Sequence, residues 1–273
     1  MSGGSPQESG RERCEQALRI LAPAGVLALG VVLWDLIVRV NGIPPYILPS
    51  PGLVLSTLVS DWPVLWTSLL ATLETTMEGL ALAVIGGIGL AVLFNQSRLI
   101  EHSLYPYAVI LQVTPLVAIA PLIIVWTDNV VLSLVICAWI VAFFPIVANT
   151  TLGLNSAGRD LHDLFRLNGA SRWQTLRLLR MPAALPYFLA GLRISGGLAL
   201  IGAVVAEFVA GTGGASSGLA SRILESGYRL QIPRLFAALA LLALAGVAIF
   251  WALTALSRRI LGPWHESVQG PER

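Results

Sequence analysis

The chain has 273 residues, 56% of them hydrophobic and only 12% charged, and its mean hydropathy is +0.78. A soluble domain is usually about one-quarter charged, so this composition points to a multispanning membrane protein. A net charge of +2 gives no footing for nucleic-acid binding, and the absence of lysine excludes a lysine nucleophile, a Schiff base and a P-loop lysine.

Residues 1–19 are polar and rich in Gly, Ser, Glu and Arg, which predicts a disordered tail. The apolar run 20–40 is long enough to cross a bilayer. It is longer than the apolar core of a signal peptide and reads as a retained first span. Asp35 and Arg39, four residues apart near its end, are placed to pair. The next segment, NGIPPYILPSPG, holds four prolines and cannot be a regular helix. Further apolar runs at 69–94, 104–126, 130–152, 184–210 and 235–256 bring the expected spans to six.

Arginine placement orients these spans. With both termini cytoplasmic, twelve arginines fall inside (11, 13, 19, 98, five from Arg159 to Arg180, 258, 259 and 273). Four fall outside: Arg39, Arg222, Arg229 and Arg234. Arg193, in the inner half of the fifth span, is expected to snorkel toward cytoplasmic headgroups.

Small residues recur every four positions at Gly79, Ala83, Gly87 and Ala91, and again at Gly191, Ser195, Ala199 and Ala203. Such stripes let helices approach closely in lipid, and helix packing is the favoured reading over lining a conduction path. In the third span Pro115 and Pro121 free backbone carbonyls. With Gln112 and Thr114 these are candidates for a polar path, the alternative being a packed kink. Glu74 and Glu78 lie early in the second span, facing either a watery vestibule or the interface. Glu207, near the outer end of the fifth, joins the pathway candidates and is expected to act in gating or helix pairing. No acid falls clearly at the bilayer centre, where an ion-coupled secondary carrier usually needs one.

Cys14 and Cys137 suggest neither a disulfide nor a metal site, and His102, His162 and His265 lack ligand spacing. The glycine-rich run Gly211 to Gly218 is expected to have neither a following helix nor a lysine and reads as a flexible loop rather than a phosphate cradle.

Between spans four and five lies RLNGASRWQTLRLLRMP, Arg166 to Pro182. Ser171 and Gln174 form a predicted capping box, and Gly169 suits a left-handed turn between two short helices. The second helix is expected over 172–180, ending where Pro182 disfavours helical geometry at Met181. Trp173, Leu176 and Leu179 give it a narrow apolar stripe. Periodicity alone fits an interfacial helix as well as a protein-docking one.

DLFRLNGASRWQTLRLLRMPAALP resembles the EAA loop of binding-protein-dependent ABC-transporter permeases: E-A-A, three residues, Gly, nine residues, I-x-L-P. Asp163, Leu164 and Phe165 stand at the E-A-A positions, followed by Gly169, Leu179, Met181 and Pro182. ILPSP at 47–51, the P-x-x-A-x-x-P-L spacing of Pro115, Ala118, Pro121 and Leu122, and FFP at 143–145 resemble the nitrate/sulfonate/taurine-type permeases. GLRISGGLALIGAVVAEFVAG, Gly191 to Gly211, resembles the subgroup importing thiamine-pyrimidine precursors or riboflavin, including its glutamate at Glu207.

The resemblance implies an all-α permease of six transmembrane helices in the type I ABC importer fold. Residues 20–257 would form its transmembrane domain, with a coupling loop at 153–182 and a cytoplasmic tail at 258–273. Residues implied to contact an ATPase are Asp163, Leu164, Phe165, Gly169, Ala170, Ser171, Trp173, Leu179 and Pro182. The implied partners are an ABC ATPase subunit that carries ATP and Mg, an extracytoplasmic solute-binding protein, a second permease copy and the bacterial inner membrane. The permease itself would hold no cofactor or metal and catalyse no covalent chemistry. The implied cargo is a pyrimidine or riboflavin-like heteroaromatic, with sulfonate, taurine or nitrate as the alternative and an ion-coupled carrier as the more remote one.

Overall fold

The computed structural model describes residues 6–211 and 217–262, with side chains from residue 22 onward. All regular elements among them are helical. They divide into two units.

The first unit comprises Met1–Trp62 and Ser226–Ala237. Helix α1 spans Pro6–Val40. It therefore begins within the segment expected as a tail, while residues 1–5 lie outside the description. Asp35 Oδ2 and Arg39 Nε pair at 2.7 Å, as their spacing predicts. The proline-rich stretch turns through Gly42 at φ +58° into α2, Pro51–Ser60. Ser50 caps α2 by accepting from Leu53 N–H at 3.3 Å, and Pro51 occupies the first turn, where its missing donor costs nothing. Asp61 Oδ2 pairs with Arg234 Nε at 2.6 Å.

The second unit comprises Pro63–Glu225 and Ala238–Arg273. Its main elements are α3 (Trp62–Gln96), α4 (Arg98–Val113), α5 (Leu116–Thr127), α6 (Val130–Leu154) and α9 (Met181–Ala210), with α11 (Ile232–Leu261) entering at Ala238. Between α6 and α9 stand the short α7 (Arg159–Leu167) and α8 (Arg172–Thr175), and α10 (Leu219–Tyr228) follows α9. Helices α6 and α9 run against each other and form the centre of the unit. Leu80 and Phe94 of α3, Phe143 and Ile146 of α6, and Leu189 and Leu192 of α9 share one buried cluster.

Both small-residue stripes are buried here, and they serve packing. A Cβ on Gly202 would stand 2.9 Å from Ala138 Cα, so only glycine lets α9 lie this close to α6. Ser195 Oγ donates to the Ala142 carbonyl at 2.7 Å across the same seam.

Among the described residues, five helices are long and apolar enough to span a membrane, and the bent pair α4 and α5 makes a sixth candidate. That pair corrects the expectation of one continuous third span over 104–126: its two halves are bent by 101°. Thr114 precedes a proline and adopts extended geometry, φ −71° and ψ 124°, so α4 ends at Val113. Pro115 also has no N–H to offer the Leu111 carbonyl. By contrast Pro106, Pro145 and Pro186 are carried inside their helices.

A second correction concerns the end of the α8 region. Met181 remains helical at φ −63° and ψ −45°, and the chain passes into α9 without a break. The five residues Leu176–Arg180 form a π turn in which Met181 N–H donates to Leu176 O. Because Pro182 cannot donate to Leu178 O, the wider turn absorbs the proline that was expected to stop the helix.

Candidate coupling segment and buried polar node

Helix α7 carries Asp163, Leu164 and Phe165, and its sequence is strongly two-faced. It ends in a Schellman motif: Gly169 N–H donates to Arg166 O and Ala170 N–H to Phe165 O, both at 3.0 Å. Gly169 has φ +69°, where a Cβ is disfavoured. Ser171 then caps α8: its Oγ accepts from Gln174 N–H at 3.2 Å, and Gln174 Oε1 accepts from Ser171 N–H at 2.8 Å. The capping box is thus present as predicted, and two caps back to back fix a tight helix-turn-helix.

The predicted apolar stripe is divided. Leu176 and Leu179 are buried, Leu176 against Ala91, Leu154 and Ala184, whereas Trp173 is 65% exposed. A repeat of three drifts by about 60° per step on a 3.6-residue helix, which carries Trp173 out of the buried wedge. Together with Leu164, Leu167 and Leu178 it leaves large apolar side chains exposed on an arginine-rich segment. Asp163 and Pro182 are also exposed. Below them Arg180 Nη1 donates to Asn95 Oδ1, and Asn95 Nδ2 to Asn155 Oδ1 at 3.1 Å, tying the segment to the ends of α3 and α6.

Of the residues considered for a pathway, Gln112, Thr114 and Pro115 meet at the α4–α5 break. Thr114 Oγ1 donates to Ile110 O at 2.6 Å and so closes the end of α4. Pro121 lies within α5 and is exposed. Glu207 belongs to a different node. It is 2% exposed, and its Oε1 accepts from Thr72 Oγ1 at 2.8 Å while Oε2 accepts from Ala220 N–H at 2.9 Å. Thr72 Oγ1 in turn accepts from Leu219 N–H at 2.8 Å. The first turn of α10 is therefore capped by side chains of α3 and α9, with a carboxyl at its N-terminus.

The family model of the binding-protein-dependent transport system inner membrane component matches residues 83–262. The chain belongs to that family. This permease is 35% identical over 253 residues to the formylaminopyrimidine transport permease protein ThiX of Halalkalibacterium halodurans, covering 92% of this chain and 99% of the relative. It is 37% identical over 243 residues to the riboflavin transport system permease protein RibX of Chloroflexus aurantiacus, covering 88% and 89%. The taurine transport system permease protein TauC of Escherichia coli is 30% identical over 252 residues, covering 90% of each. A solved amino acid ABC transporter chain shares the fold with TM-score 0.60 at 18% identity, over 74% of the permease and 97% of that chain. The permease is thus the multi-pass membrane component of an ABC importer, as the sequence motifs imply.

Several polar contacts of the permease were invisible in its sequence. Thr72 carries no motif, yet it joins residues 135 and 147 positions away. Gly218 is needed because a Cβ there would collide with the Glu207 carboxyl. Helix α10 begins directly after Gly218 at Leu219, which corrects the expectation that no helix follows the glycine run, while residues 212–216, on which the flexible-loop expectation falls, lie outside the described residues. Arg193 does not simply snorkel: its Nη2 donates to Ser257 Oγ of α11 at 3.4 Å. Glu74 and Glu78 are exposed, and Glu78 lines an open cavity with Asn129 and Leu132.

Proposed function

We propose that the segment 153–182 is the surface on which a separate ATPase subunit drives this permease. The observation that carries this reading is the doubly capped helix-turn-helix at Gly169–Ser171, which holds Leu164, Leu167 and Trp173 exposed on a rigid frame. A loop needed only for positive-inside charge has no use for such caps. In this reading the segment and both termini are cytoplasmic, ATP and Mg reside on the ATPase, and the permease supplies no catalytic residue, metal or cofactor. Two permease copies and an external solute-binding protein complete the importer. Differential contact of the ATPase states with α7 and α8 shifts the spans between inward- and outward-facing arrangements. The α4–α5 break, with Gln112, Thr114, Pro115 and Pro121, contributes to the solute path, while Glu207 holds α10 in place.

The cargo proposed is a small heteroaromatic of the pyrimidine or flavin class. Support comes from the names of the relatives matched over most of both chains, formylaminopyrimidine and riboflavin permeases. Taurine and other sulfonates form the second reading, supported by the 30% identity to TauC. Proteoliposomes containing the permease, its ATPase and its binding protein should take up a labelled pyrimidine or flavin only with internal ATP. Uptake of a sulfonate instead would select the second reading, and uptake abolished by an uncoupler but not by ATP depletion would refute both.

A further inference from the structure

Where the end of α3 meets α7 and α8 there is a cavity of about 380 Å3. Arg166, Arg172, Arg180 and His162 line it, with Asn95 and Thr175 as neutral hydrogen-bonding groups and no carboxylate among the described residues of the wall. Neither Arg166 nor Arg172 has an ion-pair partner among the described residues. Arg180 is oriented by its bond to Asn95 Oδ1, and its buried Nε has no acceptor.

Three guanidinium groups brought together around an open space repel one another unless an anion lies between them. Their planar forks suit the oxygens of a phosphate, and the His162 ring offers a further N–H donor. A single carboxylate would satisfy one fork. The space is also within the range of small-ligand pockets, larger than one carboxylate requires. We propose that this cavity binds an anionic phosphate group presented by a phospholipid headgroup of the adjacent leaflet.

The phosphate chemistry rests on the cavity itself, whereas the membrane as its source rests on the orientation proposed above. The apolar run of α3 gives out at Phe94, beside Asn95 and Gln96 of the cavity, so the cavity stands where a span gives way to headgroups. Basic pockets at the cytoplasmic ends of spans are suited to acidic lipids. A lipid phosphate held there bridges the end of α3 to both coupling helices and braces the segment against the spans.

The test uses the full-length permease in detergent. It is titrated with dihexanoyl phosphatidylglycerol, dihexanoyl phosphatidylcholine and inorganic phosphate, and bound ligand is counted by native mass spectrometry. Phosphatidylglycerol is expected to fill one site at least tenfold more tightly than phosphatidylcholine, whose choline neutralises its phosphate. Arg166→Gln combined with Arg172→Gln removes that preference; Arg172→Gln alone weakens it. Arg177→Gln, an exposed arginine of the same segment outside the cavity, keeps it. Inorganic phosphate competing only at far higher concentration supports the lipid as the source, and competition at equal concentration supports the site with free phosphate as its ligand.

Equal binding of the two lipids, or an equal loss in Arg177→Gln, overturns the proposal, because the attraction would then be diffuse. Displacement of bound lipid by the ATPase subunit also overturns it, since the cavity would belong to that protein. ATP-driven uptake, measured after the same permease is reconstituted into proteoliposomes with its ATPase and binding protein, separates the two readings. Uptake without lipid preference refutes only the phosphate site, and lipid preference without uptake refutes only the transport role.

Discussion

Thr72→Val removes one hydroxyl from the node that holds α10, with almost no change in side-chain volume. Thr72 is fully buried, and its Oγ1 serves both Glu207 Oε1 and the Leu219 N–H at 2.8 Å. Valine leaves Leu219 N–H as a buried donor without an acceptor and takes one bond from a carboxyl. An orphaned buried donor costs about 1–3 kcal/mol, and a bond to a charged group contributes about 1.5–3 kcal/mol. The two losses overlap because one hydroxyl serves both groups, and the Ala220 N–H bond to Glu207 Oε2 is untouched. The expected net cost is about 2–4 kcal/mol, confined to the start of α10. At about 1.4 kcal/mol per tenfold, the peptide spanning 217–228 should exchange its amide hydrogens roughly 30- to 900-fold faster. Hydrogen-exchange mass spectrometry on the permease in nanodiscs measures this directly. Thr72→Ser keeps the hydroxyl and should retain most of the protection. Unchanged protection in Thr72→Val, with α6 and α9 equally protected in both proteins, would refute the capping role.

Gly202→Ala forces a Cβ to within 2.9 Å of Ala138 Cα, so overpacking should lower thermal stability by about 1–3 kcal/mol. Gly197→Ala, on the same helix with nothing within 4 Å, should be neutral or stabilise by about 0.5–1 kcal/mol. A thermal-shift series on the two variants checks the contrast. Gly218→Ala drives a methyl group into the bonded Glu207 carboxyl and should reduce the yield of folded permease, read by size-exclusion chromatography. Ser171→Ala removes the α8 cap at a cost of about 1 kcal/mol, seen as roughly fivefold faster exchange in the peptide 171–180.

What could be read in the sequence was local or periodic. The Ser171–Gln174 box and the Gly169 turn need only neighbours within a few residues, and both are present. The Asp35–Arg39 pair is one helical turn. The long apolar spans follow from composition because lipid requires backbone bonds to close within each helix. The errors share a different cause. Proline has several structural outcomes, and the residue alone does not choose among them. Pro115 breaks a helix completely, Pro182 is absorbed by a π turn, and Pro145 stays inside α6. Which one prevails depends on whether neighbouring helices can hold the widened or broken backbone. The stripe of Trp173, Leu176 and Leu179 is divided because a repeat of three only approximates a helical face. The Thr72–Glu207–Leu219 node joins three distant segments and carries no local signature.

The most direct measurement is ATPase stimulation by the reconstituted permease carrying a substitution at Gly169. Its φ of +69° admits asparagine with little strain but penalises a β-branched side chain, and open space surrounds the position, so only the turn is tested. Gly169→Val should lose stimulation and uptake while the spans keep their exchange protection, and Gly169→Asn should retain most of both. Normal stimulation in a folded Gly169→Val permease would contradict the assignment of the segment as the coupling surface.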